Sequence, residues 1–144
     1  MIILDTNVVS ELMRDQPTPA VLDWVNTYPS KALFVTTITE AEIGYGVAIL
    51  PSGKRRDLLA AACQRLFGEL FLDRVLPFDR AAARLYPAIA AKRRSKGLPS
   101  GALDLQIAAI AKSNGASIST RDVDDFLETG IDVINPWGVE ISRS

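Results

Sequence analysis

The sequence predicts a three-layer α/β fold, a small and mainly parallel sheet flanked by helices. Three observations carry that expectation. Short apolar runs recur at lengths suited to strands covered on both faces. Helical patterns separate them, and such alternation favours parallel pairing through crossovers. The length of 144 residues, with 48% hydrophobic and 23% charged residues, suits one globular domain over 1–144.

Ile2 to Leu4 is the first apolar run, and Asn7 to Met13 reads as a short helix. Thr18 is a good N-cap and Pro19 suits the first helical position, so a helix should continue to Tyr28. Leu33 to Val35 is the second strand, followed by a helix from Thr39 to Leu50. Pro51-Ser52-Gly53 punctuates the chain, and Ser52 is placed to cap a long helix from Gly53 to Leu72. Val75 to Pro77 is a third brief strand. Asp79 should cap a helix reaching Lys96, kinked at Pro87. After a break at Gly97 to Gly101, Ala102 to Asn114 is an Ala-rich helix ended by Gly115 at C′. A strand at Ser117 to Ser119, a short helix over Val123 to Glu128 and a last strand at Asp132 to Ile134 complete the order.

Composition removes several kinds of chemistry. The chain has no His, which excludes Ser-His-Asp triads, Cys-His pairs, His-ligated zinc and imidazole acid–base catalysis. A single Cys63, in an Ala-rich helical pattern, excludes an internal disulfide and reads as a small buried apolar residue. The formal net charge of −1 offers no global attraction to nucleic acid or to an anionic membrane, so any such binding needs a local patch. No run approaches the ~18 apolar residues needed to cross a bilayer, and the N-terminus lacks a basic signal-peptide region. A cytoplasmic protein with no membrane partner is expected.

Ligands of open α/β sheets bind beyond the carboxyl ends of strands. Acids recur there. Asp5 follows the first strand, Glu40 and Glu42 open the helix after the second, and Arg121 and Asp122 follow the fourth. Singly, each acid has an ordinary explanation. Asp5-Thr6-Asn7 suits an Asx turn or a helix cap. Thr39-Glu40-Ala41-Glu42 matches a capping box. Asp122 can cap the helix at Val123, with Asp124 and Asp125 set against its dipole. Asp104 is harder to explain, because it reads as mid-helix in a largely apolar helix, where an ionised carboxylate needs a partner. Pairing to Arg or Lys is one solution. Gathered together, these acids would raise one another's pKa unless a cation neutralised them. A hard divalent ion such as Mg²⁺ or Mn²⁺ suits a chain without His or paired Cys, and serves phosphate chemistry.

ILDTNVVSEL, EIGYG at Glu42 to Gly46, Leu103-Asp104 followed by IAAIA, STRDVDDF and INPW together resemble the PIN-domain ribonucleases. More narrowly they are similar to VapC-type toxins of type II toxin–antitoxin systems, in the FitB-like branch. The resemblance covers essentially the whole chain, in order. It implies a PIN fold with acids at one end of the sheet, and a metal-dependent endoribonuclease. Carried over residue by residue, Asp5, Glu42 and Asp104 match the principal catalytic and metal-binding acids, and Asp122 the fourth. Thr6, Thr120 and Asp125 would support them. One or two Mg²⁺ or Mn²⁺ ions are implied, activating a water that leaves 5′-phosphate and 3′-hydroxyl ends.

Arg121 is the expected RNA contact, being next to Asp122. Lys54-Arg55-Arg56 and Lys92-Arg93-Arg94 with Lys96 are either further grips or solvated helix faces. The resemblance also implies a cognate antitoxin blocking the acidic site, operator DNA reached only through that antitoxin, and a homodimer. Tyr45, Val47, Ile49 and Leu50 would supply an apolar surface if they are not core. Three rival readings meet particular residues. A haloacid-dehalogenase-type phosphohydrolase needs a second acid where Asn7 stands, and a receiver domain needs a Lys on a late strand. A PIN-like binding module without nuclease activity would be marked by a missing acid, and none of the three principal acids is missing.

Overall fold

The computed structural model describes residues 1–99, 101–138 and, for the backbone, 140–143. β1 (Ile2–Leu4) lies inside a sheet of order β3-β2-β1-β4-β5-β6. Its parallel neighbours are β2 (Leu33–Thr36) and β4 (Ser117–Ser119). β3 (Val75–Leu76) extends one side and β5 (Asp132–Asn135) the other, both in parallel. The three-layer, mainly parallel architecture expected from the sequence is observed. β6 (Glu140–Arg143), antiparallel to β5, was not expected. A turn after Asn135, closed by Gly138 N–H donating to the Asn135 carbonyl, reverses the chain there.

Side-chain alternation explains why β1 is apolar throughout. Ile3 joins a core with Ile107, Ile110 and Ile118, whereas Ile2 and Leu4 join another with Val8, Val9 and Val35. The first core is covered by α5 (Arg80–Ser95) and α6 (Ala102–Asn114), which supply Ile89, Leu105 and the buried alanines. The second is covered by α1 (Thr6–Leu12), α2 (Pro19–Asn26) and α3 (Thr37–Ala48). Between β1 and β4 the chain connections diverge to opposite sides of the sheet. That switch point opens a crevice at the carboxyl ends of the strands, and Asp5 follows β1 directly into it.

Several boundaries depart from expectation for physical reasons. α3 begins at Thr37, because Thr36 is its N-cap and accepts from Thr39 N–H at 3.1 Å. Glu42 therefore lies in the second turn, and the capping-box reading is wrong. Thr36→Val should cost about 1 kcal/mol of unfolding free energy, read by denaturant titration. α4 (Lys54–Arg65) starts after Gly53, with no Ser52 side-chain cap, and passes into a π turn at Leu66–Leu70. There Phe71 N–H reaches back to the Leu66 carbonyl at 2.9 Å. α5 runs through Pro87, which sits on the exposed face of the helix. The expected helix over Val123 to Glu128 is a 3₁₀ turn, Val123–Phe126, followed by Glu128 in a left-handed conformation. Among the described residues no helix is long and apolar enough to cross a membrane. Tyr45 and Ile49 are exposed, and Val47 and Leu50 half-buried, so this stripe of α3 is not core.

Candidate active site

Asp5 is both cap and site residue. Its extended backbone at the end of β1 makes it the N-cap of α1, with Oδ1 accepting from Thr6 N–H at 2.9 Å. Oδ2 accepts from the Thr120 hydroxyl at 2.7 Å. The residue is only 4% exposed. Burial pushes its carboxyl up to about 6; the bonds from Thr120 and Thr6 oppose this, and the charges of Asp104 and Glu42 add to it.

A chain of hydroxyls fixes Glu42. Thr6 Oγ1 donates to Glu42 Oε1 at 2.9 Å, and the Thr6 and Thr39 hydroxyls are 2.9 Å apart. With its one proton committed to the carboxylate, Thr6 accepts from Thr39. The Thr39 hydroxyl accepts in turn from Thr36 at 3.5 Å. Thr36 and Thr39 are fully buried, so Glu42 Oε1 is held from inside the fold.

The loop after β4 is tied to α1 through Asn7. Its Nδ2 donates to Thr120 Oγ1 and to Asp122 Oδ2, both at 3.1 Å, while its Oδ1 accepts from Arg121 N–H at 3.2 Å. Asp122 was expected to cap the following helix. Its side chain makes no such bond and is held by Asn7 instead. Arg121 lies over the Trp137 ring, 4.7 Å from its centroid.

Asp104 is not mid-helix. Gly101 is the N-cap of α6, which puts Asp104 at the third helical position, half-buried, where the helix dipole favours a negative charge. Its carboxyl is still raised, first by burial and then by Asp125, Glu42 and Asp122, with Arg93 acting against them. Asp125 lies outside the cleft lining. Burial and Asp122 raise its carboxyl, and Arg93 opposes them.

Arg93 corrects another expectation. As part of the Lys92 cluster it stands in the sequence as either an RNA grip or a solvated helix face, yet it is 1% exposed and donates to the carbonyls of Leu127 at 2.5 Å, Asp124 at 3.3 Å and Pro99. It joins the approach to α6 with the turn carrying Asp125. Lys92 and Lys96 pair with Glu128 at 3.2 and 3.8 Å. This cluster is largely occupied within the fold.

Asp5, Glu42, Asp104 and Asp122 thus line one open cleft of about 540 Å³, with Thr6 and Arg121. Sequence reasoning missed Asn7, Glu11, Arg14 and Trp137 in the same lining. Asn7 and Glu11 stand one helical turn apart in NVVSELMR, a polar stripe that was there to be read. As donors for a metal the acids offer only oxygen, the set a hard divalent cation prefers. Among the described residues no three acids form a ready-made ligand cage. An open site still fits Mg²⁺, which keeps several waters and takes one or two carboxylates. The like charges that raise Asp5 and Asp104 are what a cation would relieve.

A parallel α/β sheet with four acids at its switch point is the architecture of one class. The PIN-domain family model matches residues 2–131, and the chain belongs to that family. It is 42% identical over 140 residues to VapC ribonuclease Y4jK of Sinorhizobium fredii, covering 95% of this chain and 98% of the relative. It is 37% identical over 137 residues to toxin FitB of Neisseria gonorrhoeae, covering 95% and 99%. A chain in the solved structure of FitAB bound to an IR36 DNA fragment superposes with a TM-score of 0.91 at 37% identity, covering 97% of this chain and 98% of that one.

Proposed function

We propose that this chain, as a single PIN domain, is a metal-dependent endoribonuclease acting in the cytoplasm as the toxin of a toxin–antitoxin pair. The observation that carries the proposal is the convergence of Asp5, Glu42, Asp104 and Asp122 on one cleft with Arg121 beside them. One or two Mg²⁺ or Mn²⁺ ions held by these acids would polarise a phosphoryl oxygen and lower the pKa of a water.

The chain's own residues do the rest. Asp5 is anchored at both oxygens by Thr6 and Thr120, so it enters the site without reorganising. Thr6 aims Glu42, and Asn7 holds Asp122. Asp104, at the N-terminus of α6, faces the same cleft, and a carboxylate of the cluster would take a proton from the attacking water. Arg121, supported by Trp137, meets the substrate phosphate. Without His, a route through a 2′,3′-cyclic phosphate catalysed by a His pair is closed, so the products should carry 5′-phosphate and 3′-hydroxyl ends.

Likeness to toxin FitB and to the FitAB complex on DNA supports a cognate antitoxin, with operator DNA reached through it. The exposed Tyr45 and Ile49 on α3 would serve a homodimer. The test uses purified protein freed of any partner. RNA should be cut with Mg²⁺ or Mn²⁺ and spared with a chelator, and Asp104→Asn should lower the rate by about 10³-fold or more. Identical behaviour of the variant and the wild type would refute the proposal.

A further inference from the structure

The acidic cleft continues into a larger groove of about 1180 Å³, and the two share Thr6, Ser10, Arg14 and Glu42 in their linings. The groove follows α3 and α4, and two further cations, Lys54 and Arg55, line it. Its apolar wall includes Ile43, Val47 and Leu58. Single-stranded RNA presents charged phosphates to such cations.

Two of these cations are placed where folding gains nothing from them. Lys54 and Arg55 are the first two residues of α4, at the positive end of the helix dipole, where cations are unfavourable. Arg56, the third of the run, turns back to the Leu50 carbonyl at 3.5 Å. Arg14 has a 66% exposed side chain, yet its Nη1 is held by both oxygens of the buried Glu11, at 3.2 and 3.3 Å. Glu11 is itself fixed by Thr18 N–H at 3.4 Å. Arg14 is thereby positioned at the junction of cleft and groove, with the remaining guanidinium donors open to a ligand. Arg121 stands by Trp137, after β5, on the other flank of the acids.

We infer that the RNA strand passes from Arg121 across the four acids, past Arg14 and into the groove, where Lys54 and Arg55 hold the phosphates on one side of the scissile bond. This rests on the ribonuclease reading above and adds to it the path of the strand. Of the two basic clusters in the sequence, the one at Lys54 lines a groove continuous with the acids, whereas Lys92 and Lys96 are paired with Glu128.

The probes are randomised single-stranded oligoribonucleotides of about 12 and about four nucleotides, cleaved in Mn²⁺. Lys54→Ala/Arg55→Ala should raise KM for the longer probe about tenfold with kcat kept, and should raise it less for the shorter. The slope of log KM against log salt should fall by roughly 1.4, as two phosphate contacts are lost. Arg14→Gln should raise KM for both lengths. The melting temperature of the double variant should not drop, since it loses no favourable pairing. Lys92→Ala/Lys96→Ala, as a charge-matched comparison, should leave KM unchanged. An unaltered KM and salt slope in the double variant would overturn the path, as would equal losses on both lengths. So would variants that escape antitoxin inhibition while cutting RNA normally, which would give the groove to the protein partner. A wild type that cuts no RNA with metal defeats the ribonuclease reading itself; wild-type cleavage with unaffected variants defeats only the path.

Discussion

Asp5→Asn should leave the chain folded, abolish its metal-dependent RNA cleavage, and make the metal-free protein more stable above pH 6. Burial pushes the carboxyl of Asp5 up to about 6 in the fold, against its ordinary 3.8 in the unfolded chain. Below pH 3.8 it is protonated in both the folded and unfolded chains and has no effect on their balance. Between 3.8 and 6 the unfolded chain releases its proton while the folded one keeps it, so stability falls as pH rises. Above 6 the full penalty is in place, about 3 kcal/mol for a shift of this size.

Asparagine carries no charge and escapes that penalty. It can accept from Thr6 N–H or from the Thr120 hydroxyl but not from both, at a cost of about 1 kcal/mol. The variant should therefore be slightly less stable than wild type at pH 4 and more stable at pH 7.5. Saturating Mn²⁺ should reverse the order at pH 7.5, because only the wild type gains binding free energy. Thermal melts at the two pH values, with and without Mn²⁺, test this. Equal destabilisation of the variant under all conditions would contradict it.

Arg93→Met should destabilise the protein by about 3–5 kcal/mol, lowering its melting temperature by roughly 10 °C or more. The guanidinium is buried and serves the carbonyls of Pro99, Asp124 and Leu127. Met fills much of its volume but donates nothing, which strands buried acceptors. Arg93→Lys should recover part of the loss, since an ammonium restores charge and donors but lacks the planar fork. Cleavage should suffer beyond the stability loss, because these carbonyls flank α6 with Asp104 and the turn with Asp125. A loss below about 1 kcal/mol would show that the three carbonyls have other partners.

The fold was readable because β1 is covered on both faces: Ile2, Ile3 and Leu4 must all be apolar, and such a run cannot be mistaken for a half-solvated strand. The acids were readable for a related reason. Asp5 ends an apolar run abruptly, and a parallel sheet places strand ends along one edge. What stayed hidden depended on tertiary choice. Thr36, Thr37 and Thr39 are all acceptable caps by residue type; Thr36 is chosen while pairing with Leu76 in the sheet, and that choice removes Glu42 from its own capping box. Arg93 hid in a run of cations, although its spacing from Ala82 and Ile89 places it on the buried stripe of α5. Asp104 belongs to the first turn of α6, as a helix starting at Ala102 already implies, and only its apolar surroundings made it look internal. Arg14 lies beyond the last turn of α1, where no helical face predicts its direction, and only Glu11 fixes it.

Calorimetric titration of Mn²⁺ into the purified, partner-free chain tests the central claim most directly. The wild type should bind one or two ions, and Asp5→Asn and Asp104→Asn should each lose most of that affinity while their far-ultraviolet spectra stay native. Equal binding by the wild type and both variants would contradict the claim that these acids hold the ion.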